Sequence, residues 1–425
     1  MKSEDMGRRG FLTAATGAAA FTILKPQVVR GMQANSAVRV GLLGCGGRGS
    51  THLETILKNT DAHVTALADM FPDRLEKAKQ LVDQLSSAKG QPGVQKTFVG
   101  PHSYLEILES KDIDAIVIAT PPYFHVQHLA AAVDAGKHVY CEKPVAIDVP
   151  GAKRVLEIGK KAEGKVSLDV GFQIRMAPPY IELVNRIHQG ALGDIATGAA
   201  FYYCPRIGLN YPDEATPLSR LRNWIQDKTL SGDIIVEQNI HAIDICNWVM
   251  QGHPTKAGGR HGHNGRNMFP NDTCSSHFDI VFQYANGVDV GFSSTQFGKG
   301  QFDVNERFFG TKGSSSSPYS GPLGIWGDEK WVFGGDSDKQ DAGAGNFSAS
   351  GNFSDNLAQA DSEKQKGFIN SISSNKFHNQ AALGVESALT AMLGRNAAYE
   401  GRELTWDELL RSKEVLEPHI DLNKL

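Results

Sequence analysis

Three short stretches of this sequence combine residue types that do chemistry. Glu237, His241 and Asp244 stand at i, i+4 and i+7. On one helix that spacing places two carboxylates and an imidazole on a common face, as an acid–base cluster requires. The spacing also suits a plain pattern of surface charge, or a metal held between carboxylate and imidazole at i and i+4. No other residues call for a metal, and none is expected. The second stretch, Glu142-Lys143-Pro144, follows the run His138-Val139-Tyr140-Cys141. At the carboxyl end of a parallel strand, a partly desolvated lysine relays a proton or hydrogen-bonds a reacting hydroxyl. A solvated surface pair is the commoner fate of such a Glu–Lys neighbour.

The third stretch is Gly44-Cys45-Gly46-Gly47-Arg48-Gly49. A G-x-G-x-x-G pattern alone is weak, because 45 of the 425 residues are glycine. Its surroundings strengthen it: a buried strand over 38–43 leads into it, a helix over about 50–58 follows, and a second strand over 63–68 ends in Asp69, twenty residues past Gly49. Gly44 then makes the tight turn, Gly46 lets the backbone approach a pyrophosphate, Gly49 packs helix on strand, and the helix start offers N–H groups to the phosphates. Asp69 accepts hydrogen bonds from the adenosine ribose hydroxyls, unless it is only a helix N-cap. A 2'-phosphate would meet its charge, and Met70 and Phe71 follow it rather than an arginine. The electrostatics favour NAD over NADP.

The elements that position these residues read as alternating strands and helices. A helix is expected over 72–85, strands over 94–99 and 113–119, the second stopped by Thr120-Pro121-Pro122, a helix over 126–135 ending at Gly136, and a strand over 138–141. This is an α/β Rossmann domain with a parallel sheet, placed at 36–160. Segments 196–203, 276–282 and 288–295 alternate instead, so residues 161–425 form an α+β domain with a mostly antiparallel sheet. Its stretch 310–361 is rich in Gly, Ser, Asp and Asn, with short strands expected around Ile325 and Val332 within long loops. From Gln380 the spacing of Leu389, Met392, Leu393 and Ala397 predicts an amphipathic helix.

A chain of this length suits two domains. With 43 Lys and Arg against 47 Asp and Glu it has no basic stripe, so nucleic acid is not an expected partner. The five cysteines lie far apart, without a zinc or redox spacing, and read as small buried hydrophobes. His261 and His263 are half a zinc site at best and read as loop residues. At the N-terminus, Arg8-Arg9 precede a short apolar stretch, 13–24, then Lys25-Pro26. The order is that of a twin-arginine export signal over 1–35, the alternative being an amphipathic helix. The stretch is short for a membrane span. Recognition by the twin-arginine export machinery is expected, with a periplasmic protein or one held at the membrane by an uncleaved signal. A nucleotide cofactor is scarce outside the cytoplasm, so tight binding is expected.

Taken together, the strand–GCGGRG–helix opening, Asp69, Ala119-Thr120-Pro121-Pro122 with His125, and Cys141-Glu142-Lys143-Pro144 resemble the Gfo/Idh/MocA family, named for glucose-fructose oxidoreductase and inositol dehydrogenase. The resemblance covers most of the chain after residue 35. It implies an open-faced sheet after the nucleotide domain, with substrate between that sheet and the nicotinamide. It implies a cofactor site of Gly44, Gly46, Gly47, Arg48, Gly49, Asp69, Thr120, Pro121, His125, Glu142 and Lys143. Catalysis falls to Lys143 and His241 with Glu237, where the family carries an aspartate. Gln173 and Arg175, on a strand after the nucleotide domain, line the substrate cleft beside His241 and Asp244 or, as readily, are the outward polar residues of a surface strand. Trp224, like Arg222, Tyr202 and Tyr203, is a candidate to stack on or grip a sugar, although such aromatics are more often core residues.

The implied reaction is hydride transfer between NAD and a carbinol or ketone of a sugar or cyclitol. Two rivals remain: an NAD-dependent glycosidase or lyase acting through transient oxidation of the sugar, and a non-catalytic sugar-binding protein. An open sheet face packs well against a second copy, so a homo-oligomer is expected.

Overall fold

Near-continuous apolar runs form strands that are buried on both faces. The computed structural model describes residues 37–263, 269–296, 302–335 and 355–425. Arg8 and Arg9, on which the export signal rests, lie outside them. Six strands make the first sheet: β1 Arg39–Leu43, β2 His63–Asp69, β3 Lys96–Val99, β4 Ala115–Ile118, β5 His138–Cys141 and β6 Leu168–Val170. Every pair is parallel, in the order β3-β2-β1-β4-β5-β6. Between them run α1 Gly47–Asn59, α2 Pro72–Ala88, α3 Ser103–Glu109, α4 His125–Asp134 and α5 Val149–Ala162. The strand order reverses between β1 and β4, and such a reversal opens a crevice at the carboxyl ends of the strands. The turns carrying Gly44 and Thr120 lie there. The sheet runs past the expected boundary at residue 160, because β6 pairs with β5 only after α5 has crossed over.

The second sheet has nine strands: β7 Ile195–Cys204, β8 Pro254–Gly262, β9 His277–Tyr284, β10 Asp289–Gln296, β11 Asp303–Gly310, β12 Gly313–Ser316, β13 Gly324–Gly327, β14 Trp331–Val332 and β15 Leu404–Thr405. Their order is β14-β13-β12-β11-β7-β10-β9-β8-β15, antiparallel throughout except for the parallel pair β7–β10. Burial alternates along β9 and β10, so Phe278, Ile280, Phe282, Val290 and Phe292 turn to the core. The opposite face shows Val281 and Phe309 to solvent, with Phe201 and Tyr203 stacked 5.2 Å apart. Ile325 and Val332 fall in β13 and β14, within the stretch expected to be loop-rich.

Four longer helices follow the first sheet, α6 Pro178–His188, α7 Ile240–Met250, α8 Ala360–Ser373 and α9 Ala381–Glu400, and the last of them packs on both sheets. The helix expected to be amphipathic, α9, is buried around nearly its whole circumference, because it packs on α5 and β6 on one side and on β8 and β9 on the other. Its small residues make this possible; a Cβ at Gly394 would stand 2.8 Å from the Phe282 ring. Helix α8 returns to the first domain, where Phe368, Ile369 and Ile372 join the cluster of β1, α1 and Tyr140. All five cysteines are buried and free. No helix among the described residues is long and apolar enough to cross a membrane.

Candidate active site

The crevice at the switch point continues into the second domain as a cleft of about 730 Å³. Its phosphate end is made of main chain. Gly44 has φ +97°, and a Cβ there would lie 2.6 Å from the Ala119 carbonyl; a Cβ on Gly49 would lie 2.0 Å from the Gly44 oxygen. Only glycine fits either place. Gly47 opens on free space. Gly46 caps α1 without a side-chain acceptor, so the first N–H groups of that helix are left for an anion. A dinucleotide pyrophosphate fits this cradle. Beside it Asp69 accepts from the Cys45 N–H at 2.6 Å and the Phe71 N–H at 2.7 Å. Burial raises its carboxyl, partly offset by those two bonds.

Two arginines also reach this end, Arg74 from α2 and Arg222 from the second domain, and both act on the Asp69 charge. The electrostatic ground for preferring NAD over NADP is therefore weaker than the local sequence implies. The missing arginine is supplied four residues beyond the expected position and again from across the cleft.

The reaction end is made of side chains. Lys143, just past β5, donates to the Glu237 carbonyl at 2.5 Å and to its Oε1 at 2.9 Å. Glu237 ends a one-turn helix, Ile234–Glu237, and α7 starts after a break at Gln238-Asn239. The predicted trio therefore does not lie on a single helix. Glu237 and His241 line the cleft with Lys143 and Gln173, and Asp244 does not. Its carboxylate, 1% exposed, accepts from Arg175 at 2.8 and 3.0 Å and from Ser387 at 2.6 Å. Arg175 is correspondingly turned from the cleft and lies over Trp248. A carboxylate inside an otherwise apolar helix needs a cation, which is the signal that would have paired these two from sequence. His241 Nδ1 and Gln173 Oε1 are buried without partners. Burial, and then the charge of Lys143, push the His241 imidazole well below its ordinary value. A neutral imidazole is ready to accept a proton.

Glu142 and Arg48 line the cleft but spend their charges on each other. Arg48 donates to Glu142 at 2.7 Å and to both oxygens of Asp361, on α8, at 2.9 and 2.7 Å. His52 bonds the same Glu142 oxygen at 2.8 Å and Gln365 with its other nitrogen, also at 2.8 Å. Burial alone would raise the Glu142 carboxyl; Arg48 and His52 outweigh it and hold it well below the usual range. The other Glu142 oxygen accepts the Lys143 main-chain N–H at 3.0 Å. This buried network ties the glycine loop to the segment bearing Lys143. Its members His52, Asp361 and Gln365 carry no local motif and were not legible.

His125, expected at the cofactor, has each ring nitrogen 2.7 Å from a carbonyl, those of Thr120 and Pro144, and so clamps two loops of the cleft. Thr120 Oγ1 meets His128, whose imidazole burial pushes down to about 3. Pro121 lines the cleft beside them.

Trp224 also lines the cleft, and it packs with Phe71, Leu221 and Leu230. Tyr202 and Tyr319 line it, whereas Tyr203 faces the other side of the sheet. His261 is a strand residue of β8, bonded to Ser275 and packed on Tyr399, not a loop residue. No cluster with metal-ligand character occurs among the described residues.

Residues 38–170 match the family model described as "Oxidoreductase family, NAD-binding Rossmann fold", and 180–316 match the GFO/IDH/MocA C-terminal domain, together more than half of the chain. The chain belongs to the GFO/IDH/MocA family. Among curated members, the Thermotoga maritima myo-inositol 2-dehydrogenase is 28% identical over 50% of this chain and 55% of its own length. The inositol 2-dehydrogenase of Acidothermus cellulolyticus is 30% identical over 51% and 55%. The chain thus spans about half the length of these relatives. In fold it is similar to the Lactobacillus casei scyllo-inositol dehydrogenase solved with NAD(H) and scyllo-inositol, at a TM-score of 0.67, 21% identity, and coverage of 87% of this chain and 99% of that one. The aldose-aldose oxidoreductase of Caulobacter crescentus has a TM-score of 0.66 at 17% identity, covering 87% and 99%.

Proposed function

We propose that this GFO/IDH/MocA member is an NAD-dependent oxidoreductase acting on a CH–OH group of a neutral sugar or cyclitol. The observation that carries this reading is the meeting, at one end of the cleft, of Lys143 from the first domain, Glu237 from the second, and a neutral His241 with a free nitrogen. Bound NAD supplies the hydride acceptor. The glycine loop and the start of α1 hold its pyrophosphate, and Asp69 receives ribose hydroxyls. His241 takes the proton of the substrate hydroxyl, Lys143 hydrogen-bonds the oxygen that loses it, and Glu237 fixes the lysine. Gln173 accepts a hydrogen bond from a second hydroxyl.

A neutral substrate is supported by the pairing of cations that line the cleft: Arg48 with Glu142 and Asp361, Lys143 with Glu237, and Arg222 with Asp73. The inositol dehydrogenase names of the relatives support the same class. Export by the twin-arginine route rests on Arg8 and Arg9, and a homo-oligomer joined through the open sheet face on the exposed Val281 and Phe309; cell fractionation and sedimentation test these two.

The deciding experiment offers NAD and a panel of cyclitols, aldoses and glycosides to the purified protein and follows absorbance at about 340 nm. Reduction of NAD with release of a ketone is the expected result. Cleavage of a glycoside without net reduction would replace the dehydrogenase reading with an internally recycled one, and absence of nucleotide binding would remove both.

A further inference from the structure

We propose that Arg222 is part of the cofactor site: it reaches from the second domain over the adenosine end of the cleft and holds the nucleotide against exchange. This inference rests on the nucleotide-binding reading above. The β2–α2 turn that follows Asp69 borders the adenosine half of a Rossmann site. Arg222 lies on that turn. Its guanidinium stands 3.8 Å above the centre of the Phe71 ring and donates to both oxygens of Asp73, at 2.8 and 2.7 Å. Its carbonyl accepts from Arg74 at 3.5 Å. The side chain lines the cleft, and its Nε–H is buried without a partner, a donor left over for an acceptor on bound adenosine.

An isolated surface ion pair contributes little. This one is bidentate and stacked on an aromatic ring, a geometry that arginine fills and lysine does not. It is also backed by apolar contact across the two domains. Phe71, Leu221 and Leu230 form a cluster joined by Met70, Trp224, Ile420 and Leu422. The last two belong to the C-terminal tail, which is tied down by Glu417 on Tyr123 at 2.8 Å, the Pro418 carbonyl on Arg220 at 3.0 Å, and Asn423 on His102 at 3.2 Å. Leu422 itself lines the cleft. Two second-domain segments therefore roof the adenosine end, and a departing nucleotide has to part Arg222 from Asp73.

The test measures release directly, without turnover. The full-length protein is loaded with isotopically labelled NAD and chased with excess unlabelled NAD, in low and high salt. Arg222→Ala should release label roughly tenfold faster or more, and Arg222→Lys should fall between it and wild type. High salt should speed release from wild type, because it screens a partly exposed pair, and leave Arg222→Ala unaffected. The unfolding midpoints of the apo proteins are measured alongside. Release within twofold of wild type in both variants, even with a lowered midpoint, would overturn the inference and leave Arg222 a purely structural residue. Failure of wild type to bind NAD at all would instead sink the nucleotide reading, and the clasp with it.

Discussion

The two ends of the cleft hold their ligands by different means. At the phosphate end the working groups are main-chain N–H groups, placed by glycines that no other residue can replace. At the reaction end they are side chains, and the two that touch, Lys143 and Glu237, are 94 residues apart. Main-chain geometry is a local demand on consecutive residues. A side-chain constellation is a product of the whole fold. The first kind of site should tolerate no change of shape, and the second no change of chemistry.

The largest expected effect probes that contrast. Lys143→Ala should lower turnover by about 10²–10⁴, the range for loss of a group that manages a proton, while leaving NAD affinity within a fewfold of wild type; a comparable loss in nucleotide binding would merge the two ends into one. The same variant should shift the acid limb of kcat/KM to higher pH. His241 is lowered first by burial and then by the Lys143 charge, and the second influence disappears with the lysine. Gly44→Ala works in reverse. A Cβ 2.6 Å from the Ala119 carbonyl, on a residue at φ +97°, should weaken NAD binding at least tenfold, by calorimetry, with less change in the pH profile of what activity remains.

Glu237→Asp restores the family residue but draws the carboxylate back by about an ångström. A loss in kcat of about tenfold, without change in NAD affinity, would show that this chain has adjusted Lys143 to the longer side chain.

The smallest effect concerns stability and lies away from the cleft. Burial pushes the Glu306 carboxyl up to about 8, although Ser317 donates a hydrogen bond to it. The folded chain therefore keeps a proton that the unfolded chain releases above its ordinary value near 4.5. Stability should fall as pH rises from about 5 to 8, by an amount on the order of a few kcal/mol. Glu306→Gln should flatten that slope in denaturant titrations.

What was legible in the sequence follows the same division. The glycine loop, Asp69, the strands β1, β2 and β5, and the place of Lys143 were readable because each depends on neighbours in the chain. Arg48 was read as a cofactor residue, yet its partner Asp361 is 313 residues away, and Arg222 meets Asp73 across 149. No periodicity reports such pairings. The Glu237–His241–Asp244 spacing was misleading for a different reason. Glu237 and His241 reach the cleft from either side of the break at Gln238-Asn239, while Asp244, on the same helix as His241, is held away from it by Arg175 and Ser387.

The return of α8 to the first domain bears on how the protein is made. Phe368, Ile369 and Ile372 fill part of the core under β1 and Tyr140. A growing chain cannot complete its nucleotide-binding half until the ribosome has passed Ser373, although the last strand of that sheet ends at Val170. Through that interval part of the apolar face of the first sheet is left unfilled, and a fragment cut at the apparent domain boundary should aggregate rather than bind nucleotide.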